Sequence, residues 1–282
     1  MQICTTRADN SAAADGWRAA LRLRFSARER STYLSEREHL GPLRVQRPFY
    51  PEANVCHCYI VHPPGGVVGG DRLSIDVDVD ASANALLTTP AAGKFYRSDG
   101  LVAHLSQRFR VHSSASFEWL PQETIYYRGA RVRARTCVEL SASASFIGWE
   151  IGCLGLPARN EQFDDGSLRL GFELAVDGVP RWIDSLRIDG DDRARIASWG
   201  LAGSAAIGTM LVYPGNPALL DELRGFASQN VELAVTLVDG VLVCRAMSGQ
   251  AEPIRRAFVE YWSKARPALV DRAAVAPRIW AT

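Results

Sequence analysis

From Trp17 onward, apolar and polar residues alternate with a period of two far more often than they recur at helical spacing. RLSIDVDVD at 72–80 is the cleanest case: Leu73, Ile75, Val77 and Val79 share one face, and Ser74, Asp76, Asp78 and Asp80 the other. Successive side chains of a strand point to opposite sides, so this pattern predicts a strand with one buried face. LRLRF at 21–25 alternates likewise, as does ARVRARTCVEL at 130–140, which sets Arg131, Arg133 and Arg135 on one side. Further strands are predicted at 43–49, 56–61, 84–89, 101–112, 116–120, 145–152, 168–176, 181–188 and 206–213. VELAVTLV and VLVCRAM, joined by Asp239-Gly240, predict a hairpin, because Asp-Gly supplies the positive φ angles of a tight turn.

Helical spacing is confined to the C-terminal part. Leu219, Leu220, Leu223 and Phe226 predict a helix over 217–228 capped by Asn216. Ile254, Ala257, Phe258, Tyr261, Trp262 and Ala265 predict a second over 252–265, ended by Pro267. No fixed-period repeat and no long linker divides the chain. The expectation is a flexible tail at 1–16 followed by a single, mostly β domain over 17–282. That domain reads as one large body with two helices toward its C-terminus.

Composition narrows the classes. The 282 residues are 47% hydrophobic, enough for a sizeable core, and the formal net charge of +1 gives no global pull toward nucleic acid or anionic membranes. All but two of the 32 Lys and Arg residues are arginine. The N-terminal residues lack a basic segment followed by an apolar one, and no uncharged apolar run reaches the roughly 18 residues of a membrane span. A soluble cytoplasmic protein is expected, with Cys4, Cys56, Cys58, Cys137, Cys153 and Cys244 as free thiols.

HPPGGVVGGD at 62–71 invites a phosphate-binding reading. Its glycines (Gly65, Gly66, Gly69, Gly70) do not match the dinucleotide spacing, and they lead into the strand at 72–80 rather than a helix N-terminus. A tight strand reversal that sets Asp71 in place is predicted instead. Cys56-His57-Cys58 offers soft metal ligands, but on a strand the two cysteines share a face and His57 points away, so buried structural thiols are expected. The Asp76/Asp78/Asp80 comb and the Arg131/Arg133/Arg135 stripe read as solvated strand faces. Cross-strand pairing between them and docking of an acidic partner are both open. No G-x-S-x-G elbow or H-E-x-x-H pair is present. Glu150 and Asp184 stand out because each interrupts an apolar strand, where an unpaired charge is costly. They can be ion-paired, with Arg181 or Arg187 for Asp184, or can line a cavity or channel. An alternative makes them the paired acids of a β-rich carbohydrate hydrolase or lyase.

Six stretches taken together resemble one family: GPLRVQRPFYPE at 41–52, CHCYIVHPPGGVVGGDRL at 56–73, TTPAAGKFYRS at 88–98, EWLPQETIYYRGA at 118–130, WEIGCLGLPARNEQF at 149–163 and RWIDSLR at 181–187. In that order they resemble the UreD (UreH) family of urease accessory proteins, over about residues 17 to 265. The resemblance implies a large, mostly antiparallel, β-helix-like layering of strands with two C-terminal α-helices. It also implies a non-enzymatic maturation chaperone. Such a protein docks on apo-urease and on UreF, through which the nickel-carrying GTPase UreG is recruited. Nickel would move through an internal passage, with no tightly bound cofactor in this chain. By resemblance, Asp71, Glu150 and Asp184 are candidates for lining that passage, although Leu156 stands where the family often has Arg. Apolar partner surfaces are expected around Tyr126 and Tyr127 and on the C-terminal helices at Phe258 and Trp262.

Overall fold

A computed structural model of the protein describes residues 16–29, 31–226 and 228–281. The predicted tail lies outside these residues apart from Gly16. A hairpin of β1 (Arg18–Arg28) and β2 (Ser31–Leu40) opens the fold, followed by the short β3 (Arg44–Val45). The chain then winds between two sheets. β4 (Cys56–Val61) lies in the second sheet, β5 (Arg72–Val79) in the first, and β6 (Asn84–Thr88) in the second again. After β7 (Gly93–Phe95), β8 (Ala103–Val111) and β9 (Ser116–Leu120) repeat the crossing. After β10 (Thr124–Tyr126), β11 (Arg131–Leu140) and β12 (Ser145–Leu156) repeat it once more. β13 (Glu161–Gln162) precedes β14 (Ser167–Val176) and its hairpin partner β15 (Val179–Asp189). β16 (Ala206–Tyr213), helix α1 (Pro217–Arg224), β17 (Glu232–Val238), β18 (Val241–Ser248) and helix α2 (Ala251–Val270) complete the chain.

Each crossing advances the path by one strand, so β5, β8, β11 and β14 run parallel in one sheet and β4, β6, β9 and β12 run parallel in the other. The result is a β-solenoid-like stack, flanked by antiparallel hairpins. The expected antiparallel body is therefore corrected to mixed sheets. Period-two alternation is the same in both kinds of sheet, whereas a parallel neighbour needs a crossover, supplied here by a strand of the opposite sheet.

Two cores result. Inward residues of both sheets, such as Leu23, Val77, Phe109, Phe117, Phe146, Leu168 and Leu211, fill the space between them. On the other side of the second sheet, Trp149, Met210 and Cys244 pack against Ile254, Phe258 and Trp262 of α2. Gly208 of β16 lets the helix come close, since a Cβ there would lie 2.6 Å from the side chain of Ile254. Asn216 caps α1 as predicted, accepting a hydrogen bond from the Leu219 amide at 2.9 Å. Asp239 and Gly240, with φ of 45° and 77°, turn the predicted β17–β18 hairpin. α2 runs through Pro267 to Val270 rather than ending there, and stops where Asp271 turns left-handed at φ 54°. The residue ahead of the proline, Arg266, is held by buried carboxylates, and that anchor keeps the last turn in place.

Candidate functional site

Strand register assembles a polar belt inside the inter-sheet core. In the first sheet Gln107 of β8 lies beside Thr136 of β11, which lies beside Phe172 of β14, which in turn faces Asp184 of β15. In the second sheet Glu150 of β12, Thr209 of β16 and Arg245 of β18 are cross-strand neighbours. Each row occupies positions that alternation turns inward, so the rows meet across the gap. They line a cavity of about 690 Å³ whose other walls are largely apolar, including Leu105, Trp119, Leu170 and Ile207.

The contacts within the belt are specific. Gln107 donates from Nε2 to the Thr136 hydroxyl at 2.9 Å, and that hydroxyl donates to a Glu150 carboxylate oxygen. Glu150 is half-buried, its open side giving onto the cavity. Burial pushes its carboxyl up to about 7, the charge of Asp184 adds to the rise, and the hydrogen bonds from Thr136 and Gln107 oppose it. Arg245 reaches Asp184 across the two sheets at 2.9 Å, donates to the Thr209 hydroxyl at 3.0 Å, and lies over the Trp182 ring. The partner of Asp184 is thus neither Arg181 nor Arg187; Arg187 pairs with Asp189 instead.

The glycine stretch contributes His62, Gly65 and Gly66 to the lining of this cavity. It is a tight turn as expected, but it carries the chain from β4 in one sheet to β5 in the other instead of closing a hairpin. Gly70 has a φ of 92°, and a Cβ on Gly66 would fall 2.1 Å from the Tyr96 ring. Gly65 shares the left-handed backbone, and Gly69 sits as tightly against Ser98. Asp71 does not line the cavity. Its carboxylate accepts from the Trp17 amide at 2.9 Å and the Val68 amide at 3.0 Å, tying the turn to the start of β1.

Other expectations need correction. Phe258 and Trp262 are at most 1% exposed and belong to the second core, so they offer no free surface. Tyr126 is buried against Phe95 and lines the cavity; Tyr127 stacks on Tyr96 and stays half-buried. The Asp comb pairs with neither Arg131, Arg133 nor Arg135. Asp76 and Asp78 meet Arg108 and Arg110 of the adjacent β8, and Asp80 meets Arg24. β8 lies between the comb and the arginine stripe, and Arg135 pairs outward with Glu173. Cys56 and Cys58 are buried on one face with their sulfurs 4.0 Å apart, and His57 points the other way onto Glu52 at 2.6 Å. The five described cysteines are free thiols, and Cys4 lies outside the described residues. Among the described residues no group of three or more His, Cys, Asp or Glu side chains gathers as a closed metal site. No described helix is long and apolar enough to cross a membrane.

Residues 18–281 match the family described as UreD urease accessory protein. The chain belongs to that family. It is 42% identical to the urease accessory protein UreD of Escherichia coli over 274 residues, covering 95% of this chain and 98% of that one. The corresponding protein of Azoarcus sp. (strain BH72) is 44% identical over 274 residues, covering 96% of each chain. That of Aliivibrio fischeri (strain MJ11) is 40% identical over 279 residues, covering 95% and 97%. Membership gives the chain a role accessory to urease. Both acids of the hydrolase alternative line this cavity, with Asp184 paired to Arg245, but the family name is that of an accessory protein.

Proposed function

We propose that this UreD-family protein is a non-enzymatic scaffold of urease maturation in the cytoplasm. It docks on apo-urease and on a UreF-type partner, recruits the GTPase UreG through that partner, and passes nickel toward urease through the inter-sheet cavity. One observation carries the passage reading: Glu150 and Asp184, from opposite sheets, face a single cavity inside a chain of this family. Carboxylates and hydroxyls are hard oxygen donors that a divalent ion can visit, and an incomplete ligand set lets it leave again, as conduction requires. Nucleotide belongs to the partner, in keeping with the glycine stretch being a structural turn. Co-expression of Glu150→Ala and Asp184→Ala variants with the other maturation proteins tests this. Metal analysis of purified urease should show reduced nickel, while pull-down should recover the assembly intact. Equal loss of assembly and nickel would make both acids structural.

A further inference from the structure

Asp184 and Arg245 stand where the cavity meets solvent, retaining 19% and 41% exposure of their side chains. They come from strands of different sheets, so the pair closes the gap between the sheets beside Glu150. Arg245 is not free to wander: the Thr209 hydroxyl holds one guanidinium nitrogen and the Trp182 ring backs its face. On β18 it takes an inward position, in line with Val241 and Val243, which lie in the inter-sheet core. A fixed cation at the wall of a cavity that receives cations lowers their occupancy there. Glu150 has uncharged donors only, and Asp184 has the guanidinium. We infer that Arg245 is a built-in competitor for the cation: by holding Asp184 it prevents the two carboxylates from closing on one divalent ion, and so sets the site's affinity low enough for release. Its role is positioning, exerted through Asp184, and it rests on the reading that the cavity receives a divalent cation.

The test is equilibrium dialysis of the purified full chain against nickel chloride at about pH 8, with bound metal counted by mass spectrometry. Arg245→Met should bind one nickel ion per chain about tenfold more tightly than the native protein, or better, because the counter-charge is gone and Asp184 is released. Arg245→Lys, which keeps the charge, should stay near native affinity. The double variant Arg245→Met/Asp184→Asn should lose the gain. Arg245→Gln is read in the same way if the methionine variant does not fold, with circular dichroism confirming the β signature of each. An Arg245→Met or Arg245→Gln protein binding no more tightly than native overturns the inference, as does a double variant that keeps the gain. Should the affinity gain appear while Glu150→Ala and Asp184→Ala leave urease nickel unchanged, the passage reading fails and the competitor role stands. Reduced urease nickel in those variants, without any affinity gain in Arg245→Met, sinks the competitor role and keeps the passage.

Discussion

Glu150 illustrates how one side chain's surroundings change its chemistry. Its carboxyl has no cation of its own, and burial holds it up to about 7. In the unfolded chain it titrates near its ordinary value of 4.5. Between those limits the unfolded state has released a proton that the folded state retains, so stability falls as pH rises through the window and levels off above it. At about 1.4 kcal/mol per unit, the whole span is worth on the order of 3 kcal/mol. Glu150→Gln fixes the neutral form and removes that slope. Urea unfolding at about pH 5 and about pH 8 should show a smaller loss in the variant than in the native protein, by roughly 2 kcal/mol. Matching losses would mean that the acid titrates normally. Asp71 acts on the backbone instead. Asp71→Ala leaves the Trp17 and Val68 amides without their acceptor and should cost about 1–3 kcal/mol, read from the same denaturation curves. A change within a few tenths would show that water replaces the carboxylate.

At the scale of elements, α2 is fastened by charge as well as by its apolar stripe. Arg266, fully buried, bonds Glu118 of β9 at 2.9 Å, Glu52 at 2.7 Å and the carbonyl of Ala273. The Trp262 indole donates to Glu118 as well. Hydrogen bonds from His57 and Arg266 hold the Glu52 carboxyl below its ordinary range despite the opposing effect of burial. Arg266→Ala would strand two buried carboxylates and should destabilise the fold by about 3–5 kcal/mol. Arg266→Lys should recover only part, because an ammonium cannot fork between both acids. Denaturant midpoints decide it, and a loss under about 1 kcal/mol for the alanine variant would refute the clasp. This network also explains a limit of sequence reading. Pro267 is a reasonable stop signal on its own, but nothing local announces that residue 266 is anchored to acids 148 and 214 positions away. β2 escapes sequence reading for a different reason: apart from Thr32 and Leu34 its side chains are exposed, so it has no buried face to leave a pattern.

Across the whole molecule, strands with one buried face are legible because alternation records burial, and the β17–β18 turn because Asp-Gly records φ. Sheet membership is not, since parallel and antiparallel neighbours leave the same trace. The site is half legible. Glu150 and Asp184 announce themselves as charges within apolar runs; Arg245 in VLVCRAM carries the same signal, masked by the stronger hairpin pattern around it. Thr136, Thr209 and Gln107 look ordinary until register brings them together. The outer face of the first sheet carries a last consequence. Hydrophobic alternation forbids a one-residue slip between β5 and β8 but tolerates a slip of two, which keeps every apolar side chain inward. In the observed register Asp76 lies opposite Arg108 and Asp78 opposite Arg110. Slipping two residues one way sets Asp78 against His112, and the other way sets Asp76 against Ser106, so either error forfeits one of the two charge matches. The charged comb thus serves as a vernier, telling neighbouring coils which of several equally greasy alignments is the right one.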